Sequence, residues 1–202
     1  MSDTKTKGLL TPEATLSYPW LFTPQEGLDG GEPKYSASFI FDEEAQGTPE
    51  YEALRQAAAA VIREKWGAKP PKNLRNPFRD DGEEKGYPEG STFIGARTKH
   101  APGVVAWNLA PITDESEIYP GAIVRAQVSV FAYDVSGNRG VSFALDNVQK
   151  LRDGDRLDGR IAAKNAFTAT EPPAAVDFSD IDQVEAQDFR DMIDNDELAG
   201  LI

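Results

Sequence analysis

Between Arg55 and Arg79 the chain carries seven bases, Arg55, Arg63, Lys65, Lys69, Lys72, Arg75 and Arg79, against the single acid Glu64. Trp66 and Phe78 lie among them. Single-stranded nucleic acid is held by cations that meet its phosphates and by aromatic faces on which its bases stack, so this mixture is the chemistry such a ligand needs. Arg55, Arg63 and Trp66 read more simply as a helix with a solvated face and a docked ring. Lys72, Arg75, Phe78 and Arg79 fall on a loop, where a contact role is the stronger reading. A second group lies on strands. Arg125, Phe131 and Tyr133 alternate onto the non-core face of one segment, an arrangement that makes a stacking platform. On that face Tyr133 reads as a binding ring and Phe131 as a covered one. Arg97 and Lys99 suit phosphate contact, and Arg139 lies at a turn beside the platform. Trp107 reads first as core and second as a further stacking ring. The candidate DNA-binding set is therefore Lys72, Arg75, Phe78, Arg79, Arg97, Lys99, Trp107, Arg125, Tyr133 and Arg139.

Other chemistries find little support. His100 is the only histidine and there is no cysteine, so a His/Cys metal site or a Ser–His triad has no partners to draw on. Asp80, Asp81, Glu83 and Glu84 are acids that could hold a divalent cation, but they lack calcium-loop spacing and read as solvated. Asp146 and Lys150 complete no nuclease pattern with them. The glycines are scattered and no phosphate-binding loop is present. No catalytic residue, cofactor or metal is expected.

Charge is divided unevenly. Residues 171–202 hold ten acids and one base, Arg190, whereas residues 1–170 hold 24 acids and 20 bases. The net of −13 is thus concentrated in the last 32 residues, which carry −9. A flexible acidic segment competes for the same basic surface that a phosphate backbone would occupy. It also carries Phe178, Ile181, Val184, Phe189, Met192, Ile193, Leu198, Leu201 and Ile202, a pattern that suits docking on basic, apolar grooves of partner proteins. No apolar run approaches the ~20 residues needed to span a bilayer. The first residues, MSDTKTKGLLTPEATLSY, hold no apolar signal core, so the expected location is the cytoplasm.

The elements that must position these residues follow from periodicity. Residues 1–14 read as loose. Thr15–Phe22 and Lys34–Phe41 read as strands, with Pro19 marking an edge or a bulge. Thr48 is an N-cap, Pro49 a first helical residue, and Tyr51, Leu54, Ala58 and Ile62 keep helical spacing, which predicts a helix over Pro49–Trp66 closed by Gly67. Residues 67–90, with four prolines and four glycines, form a long loop. Ser91–Thr98 and Val104–Asn108 are short strands. Ala122–Asp134 and Gly140–Lys150 alternate strictly around Val135–Asn138, a long hairpin. Short strands with one helix predict a mainly β protein, an OB-type barrel over residues 15–170 followed by a disordered acidic tail at 171–202.

The motifs SYPWLFTP, EPKYSAS, NPFRDDGEEKGYP and IYPGAIVRAQVSVFAYDVSGNRGVSFALDNVQKLRDGDRL, with the following Phe167, resemble in order a family of bacteriophage single-stranded DNA-binding proteins. The resemblance covers roughly Leu16 to Phe167. It implies an OB fold, sequence-independent binding of single-stranded DNA in phage replication or recombination, a regulatory acidic tail, and neither enzymatic activity nor cofactor. The predicted helix precedes the third barrel strand, whereas many OB folds carry it after that strand. The alternative reading is a protein-interaction or recombination accessory module whose acidic surface repels DNA.

Overall fold

A computed structural model describes residues 5–27, 30–135, 137–159 and 168. The strands are β1 (Lys5–Leu10), β2 (Ala14–Gln25), β3 (Lys34–Phe41), β4 (Thr92–Thr98), β5 (Gly103–Val105), β6 (Ile123–Val135) and β7 (Asn138–Arg152). Two helices, α1 (Glu43–Gln46) and α2 (Pro49–Trp66), fall between β3 and β4.

The seven strands form one sheet in the order β1-β6-β2-β3-β4-β7-β5, and β6 also pairs with β7. That last pairing closes a ring of β2, β3, β4, β7 and β6. All its ladders are antiparallel except β4–β7, which is parallel. This is the five-stranded Greek-key closure of an OB barrel. Alternation in each strand sends one set of side chains inward. Leu16, Phe39, Ile94, Val124, Val128 and Phe143 meet in the interior, each 0–1 % exposed.

Helix α2 forms where the sequence places it. Thr48 Oγ1 accepts from the Tyr51 N–H, Pro49 stands in the first turn, and Gly67 ends the helix at a φ of 67°. Its buried face, Tyr51, Leu54, Ala57, Ala58 and Val61, packs into the barrel core. Tyr51 meets the Phe41 ring edge-on at 5.3 Å, and its hydroxyl bonds Thr92 Oγ1 at 2.7 Å. Lys65 Nζ donates to Ala132 O at 2.9 Å. Replacing the fully buried Leu54 by Ala would cost about 2–5 kcal/mol.

Four features differ from the sequence expectation. Residues 5–10, read as loose, form β1 and pair antiparallel with Gln127–Phe131 of β6. The short turn of α1, capped by Asp42, was not anticipated. The strand expected to run to Asn108 stops at Val105, and residues 106–110 turn, with Leu109 at a φ of +68°. The long 67–90 loop is anchored at several points. Arg75 bridges Gly140, Arg79 bridges Phe93, and the Tyr87 hydroxyl donates to Ser17 Oγ at 2.9 Å. The tail expected over 171–202, and Phe167, lie outside the described residues.

Candidate nucleic-acid interface

In an OB barrel the second and third strands, with the loops after the first and fourth, bind oligonucleotides. Here those strands are β3 and β4, and the loops are 26–33 and 135–138. Register defines their outer face. Phe39 and Ala96 point inward, so Ser36 and Ser38 on β3, and Gly95 and Arg97 on β4, point outward. Ser36 lies opposite Arg97 on one side and opposite Trp20 of β2 on the other. Trp20, Ser36 and Arg97 thus form one row across three strands. The next row pairs Ser38 with Gly95. Gly95 is exposed, and a Cβ there would meet nothing within 4 Å. The result is a patch of small residues, with Gly95 exposed and Ser36 and Ser38 half-buried, beside an indole and a guanidinium.

Trp20 is 41 % exposed and Tyr18 is 57 % exposed. Both owe this to a bulge. The β2–β3 register shifts between Ser17 and Trp20, with Tyr18 at a φ of +46°. One extra residue reverses the parity, so Trp20 faces outward and Leu21 becomes 1 % exposed. Strict alternation from Leu16 would have placed Trp20 in the core. Neither ring was among the sequence candidates, and Pro19 was the available signal.

The remaining outer surface of β3 and β4 is covered. Ile40, Phe93 and Tyr87 form a small second core, with the Tyr87 and Phe93 rings edge-to-face at 5.2 Å. Burial pushes the Tyr87 hydroxyl pKa upward. The Arg79 guanidinium lies 4.8 Å from the centre of the Phe93 ring and makes a two-pronged pair with Asp81, Nε to Oδ1 at 3.0 Å and Nη2 to Oδ2 at 2.5 Å. Those hydrogen bonds hold the Asp81 carboxyl below the usual carboxylate range. Arg97 is exposed, with no ion-pair partner among the described residues. It stands four residues along β4 from Phe93, roughly 13 Å.

The other candidates fall in distinct places. Arg75, Arg139 and Tyr133 come together at the β6–β7 hairpin. The Arg75 N–H donates to Arg139 O at 2.9 Å, and Tyr133 pairs across from Gly140. Arg139 is ion-paired with Asp134 at 2.9 Å, and Lys72 is exposed on the same loop as Arg75. Lys99 is paired with Glu32 of the 26–33 loop, and that contact lowers the Glu32 pKa. Phe78 is a wedge rather than a free platform, since its ring meets Tyr51 at 5.5 Å and Phe143 at 5.6 Å, both edge-on. Arg125 does not join the basic group. It lines a cleft of about 390 Å³ with Glu13, Asp42, Glu44 and Glu50, and its Nε is buried without a partner. Trp107, read first as core, is 73 % exposed on the 106–110 turn. Among the described residues no three His, Cys, Asp or Glu side chains gather as a metal site. No helix there is long and apolar enough to cross a membrane.

The model of the family described as the single-stranded DNA-binding protein of Enterobacter phage Enc34 matches residues 7–178. The chain belongs to that family. A relative, protein p50 of Acyrthosiphon pisum secondary endosymbiont phage 1, is 32 % identical over 185 residues, covering 86 % of this chain and 94 % of its own. Among solved structures, the Enc34 family member in complex with single-stranded DNA superposes with a TM-score of 0.62 at 22 % identity, covering 77 % of this chain and 96 % of that one. The gp2.5 single-stranded DNA-binding protein of bacteriophage T7 reaches 0.52 at 16 % identity, covering 84 % and 100 %. At these identities the two structures speak for the barrel architecture that this family member shares with them.

Proposed function

We propose that this protein binds single-stranded DNA without sequence preference on the outer face of β2, β3 and β4, acting as a binding protein rather than an enzyme. The observation that carries the reading is the Trp20–Ser36–Arg97 row beside the exposed Gly95. A ring for base stacking and a cation for phosphate lie across the strands that an OB barrel uses for oligonucleotides. Arg75 and Arg139 at the hairpin, Lys72 on the loop that carries Arg75, and Arg79 beside Phe93 extend the cationic track, with the Tyr133 ring beside Arg75 and Arg139. Family membership supports the same ligand. The role assigned is coating of single strands during phage DNA replication or recombination in the host cytoplasm. Residues 171–202, with ten acids and one base, compete with DNA for the cationic track and recruit replication or recombination proteins.

The test is whether the pure protein shifts a labelled single-stranded oligonucleotide but leaves its duplex unshifted. Binding should weaken steeply with salt. Failure to bind single strands would leave the accessory-module reading in its place. Comparing the full chain with a form ending at Thr170 tests the acidic segment. Tighter binding by the shorter form at low salt is expected, and equal affinity would remove the competitor role.

A further inference from the structure

The 106–110 turn presents the two most exposed large apolar side chains among the described residues, Trp107 at 73 % and Leu109 at 70 %. The turn is held in shape. The Ala106 N–H donates to Ala110 O at 2.8 Å and the Leu109 N–H to Ala106 O at 3.0 Å. The Gln149 side-chain amide donates to Ala106 O at 3.4 Å and Trp107 O at 3.3 Å. Leu109 adopts a φ of +68°, a conformation that a bulky residue takes only where its surroundings impose it. A rigid, adjacent indole and isobutyl pair in water marks a contact surface. Asp114, Glu115 and Glu117 follow it, all exposed, and that charge repels a phosphate backbone. The tip therefore suits a protein partner bearing an apolar recess with basic edges.

The chain carries such a recess itself. A cleft of about 340 Å³ between α2 and residues 74–78 is lined by Ala59, Ile62, Leu74 and Phe78 and flanked by Arg55 and Arg75. Both arginines are exposed and make no ion pair with a described residue. We propose that the Trp107–Leu109 tip of one copy seats in the α2 cleft of a second copy, with the acids after the tip facing Arg55 and Arg75. Tip and cleft are different patches, so the contact is heterologous, and each added copy leaves one free tip and one free cleft. The assembly grows as an open chain, which is the arrangement that coats a strand cooperatively.

Sedimentation velocity of the full chain without DNA tests this apart from any DNA reading. The wild type should sediment faster as concentration rises, and less so in high salt. Trp107→Ser with Leu109→Ser, and separately Ala59→Glu or Arg55→Glu in the cleft, should each abolish the concentration dependence. Mixing a tip variant with a cleft variant should restore a one-to-one complex that grows no further, because one intact tip and one intact cleft remain. A wild type of constant size at every concentration would overturn the proposal. So would two variants that fail to combine, or a tip variant that loses affinity for a short oligonucleotide, which would make Trp107 a base-stacking ring instead.

Discussion

Gly140 lies so close to Arg75 that it has no room for a side chain. A Cβ at Gly140 would stand 2.8 Å from both the Cβ and the carbonyl oxygen of Arg75, and 2.9 Å from the Tyr133 hydroxyl. The contact is what ties the 67–90 loop to the hairpin, through Arg75 N–H to Arg139 O at 2.9 Å and Val141 N–H to Arg75 O at 3.3 Å. Gly140→Ala should destabilise the fold by about 1–3 kcal/mol, the usual cost of overpacking. It should also weaken binding of single-stranded DNA, because Lys72 and Arg75 lose their anchorage. Thermal melting and fluorescence anisotropy with an oligonucleotide check both parts.

Trp20→Ala should lower affinity for single-stranded DNA by about 1–3 kcal/mol, the usual worth of one stacked base. Its melting temperature should fall much less than that of Leu21→Ala, whose side chain is 1 % exposed and costs about 2–5 kcal/mol to truncate. Unchanged DNA affinity in Trp20→Ala would remove the ring from the interface.

Gly95→Val separates fold from binding. A Cβ at this position meets nothing within 4 Å, and a mid-strand glycine is roughly 0.5–1 kcal/mol less favourable than alanine. Stability should hold or rise, while affinity for single-stranded DNA falls because the exposed ground beside the Trp20–Ser36–Arg97 row is filled. Denaturant melts and titrations on the same sample test the two halves.

Arg97 and Lys99 should differ in the salt dependence of binding. Each phosphate contact on a single strand contributes about −0.7 to the slope of log affinity against log salt. Arg97→Ala should flatten the slope by that amount. Lys99→Ala should change it less, since Lys99 is already paired with Glu32. Titrations at several salt concentrations decide the order.

Asp81 competes with phosphate for the Arg79 guanidinium, which it holds in a two-pronged pair. Its carboxyl titrates below the usual range because Arg79 donates two hydrogen bonds to it. A depressed folded-state pKa means that this contact is intact above the ordinary aspartate range and is lost only as pH falls through the lowered value. Mild acidification should therefore leave Arg79 paired, whereas Asp81→Asn should free it at neutral pH. Several-fold tighter binding and a salt slope steeper by about 0.7 are expected for the variant. Identical slopes would show that Arg79 takes no part.

Periodicity by itself determined the elements: the alternation of β3, the capped helix Pro49–Trp66, and the long hairpin whose Val124, Val128 and Val130 face the core. These are local signals, because inward and outward positions repeat every two or 3.6 residues. The 67–90 loop was legible from its prolines and glycines, and a backbone hydrogen bond joins its Arg75 to Arg139 of the hairpin. Three things were decided only by tertiary structure. The bulge at Tyr18 reversed the parity of β2 and carried Trp20 to the outer face, a one-residue slip that no alternation rule contains. Closure of the barrel set Arg97 in line with Ser36 and Trp20 while leaving Arg125 in an acid-lined cleft, though both were candidates for DNA contact in the sequence. Phe78 was drawn between Tyr51 and Phe143 because those rings, far apart in the chain, left a slot that an aromatic edge fills. Which residue faces which across strands depends on register and packing between distant segments, and a reading of each segment alone carries no information about either.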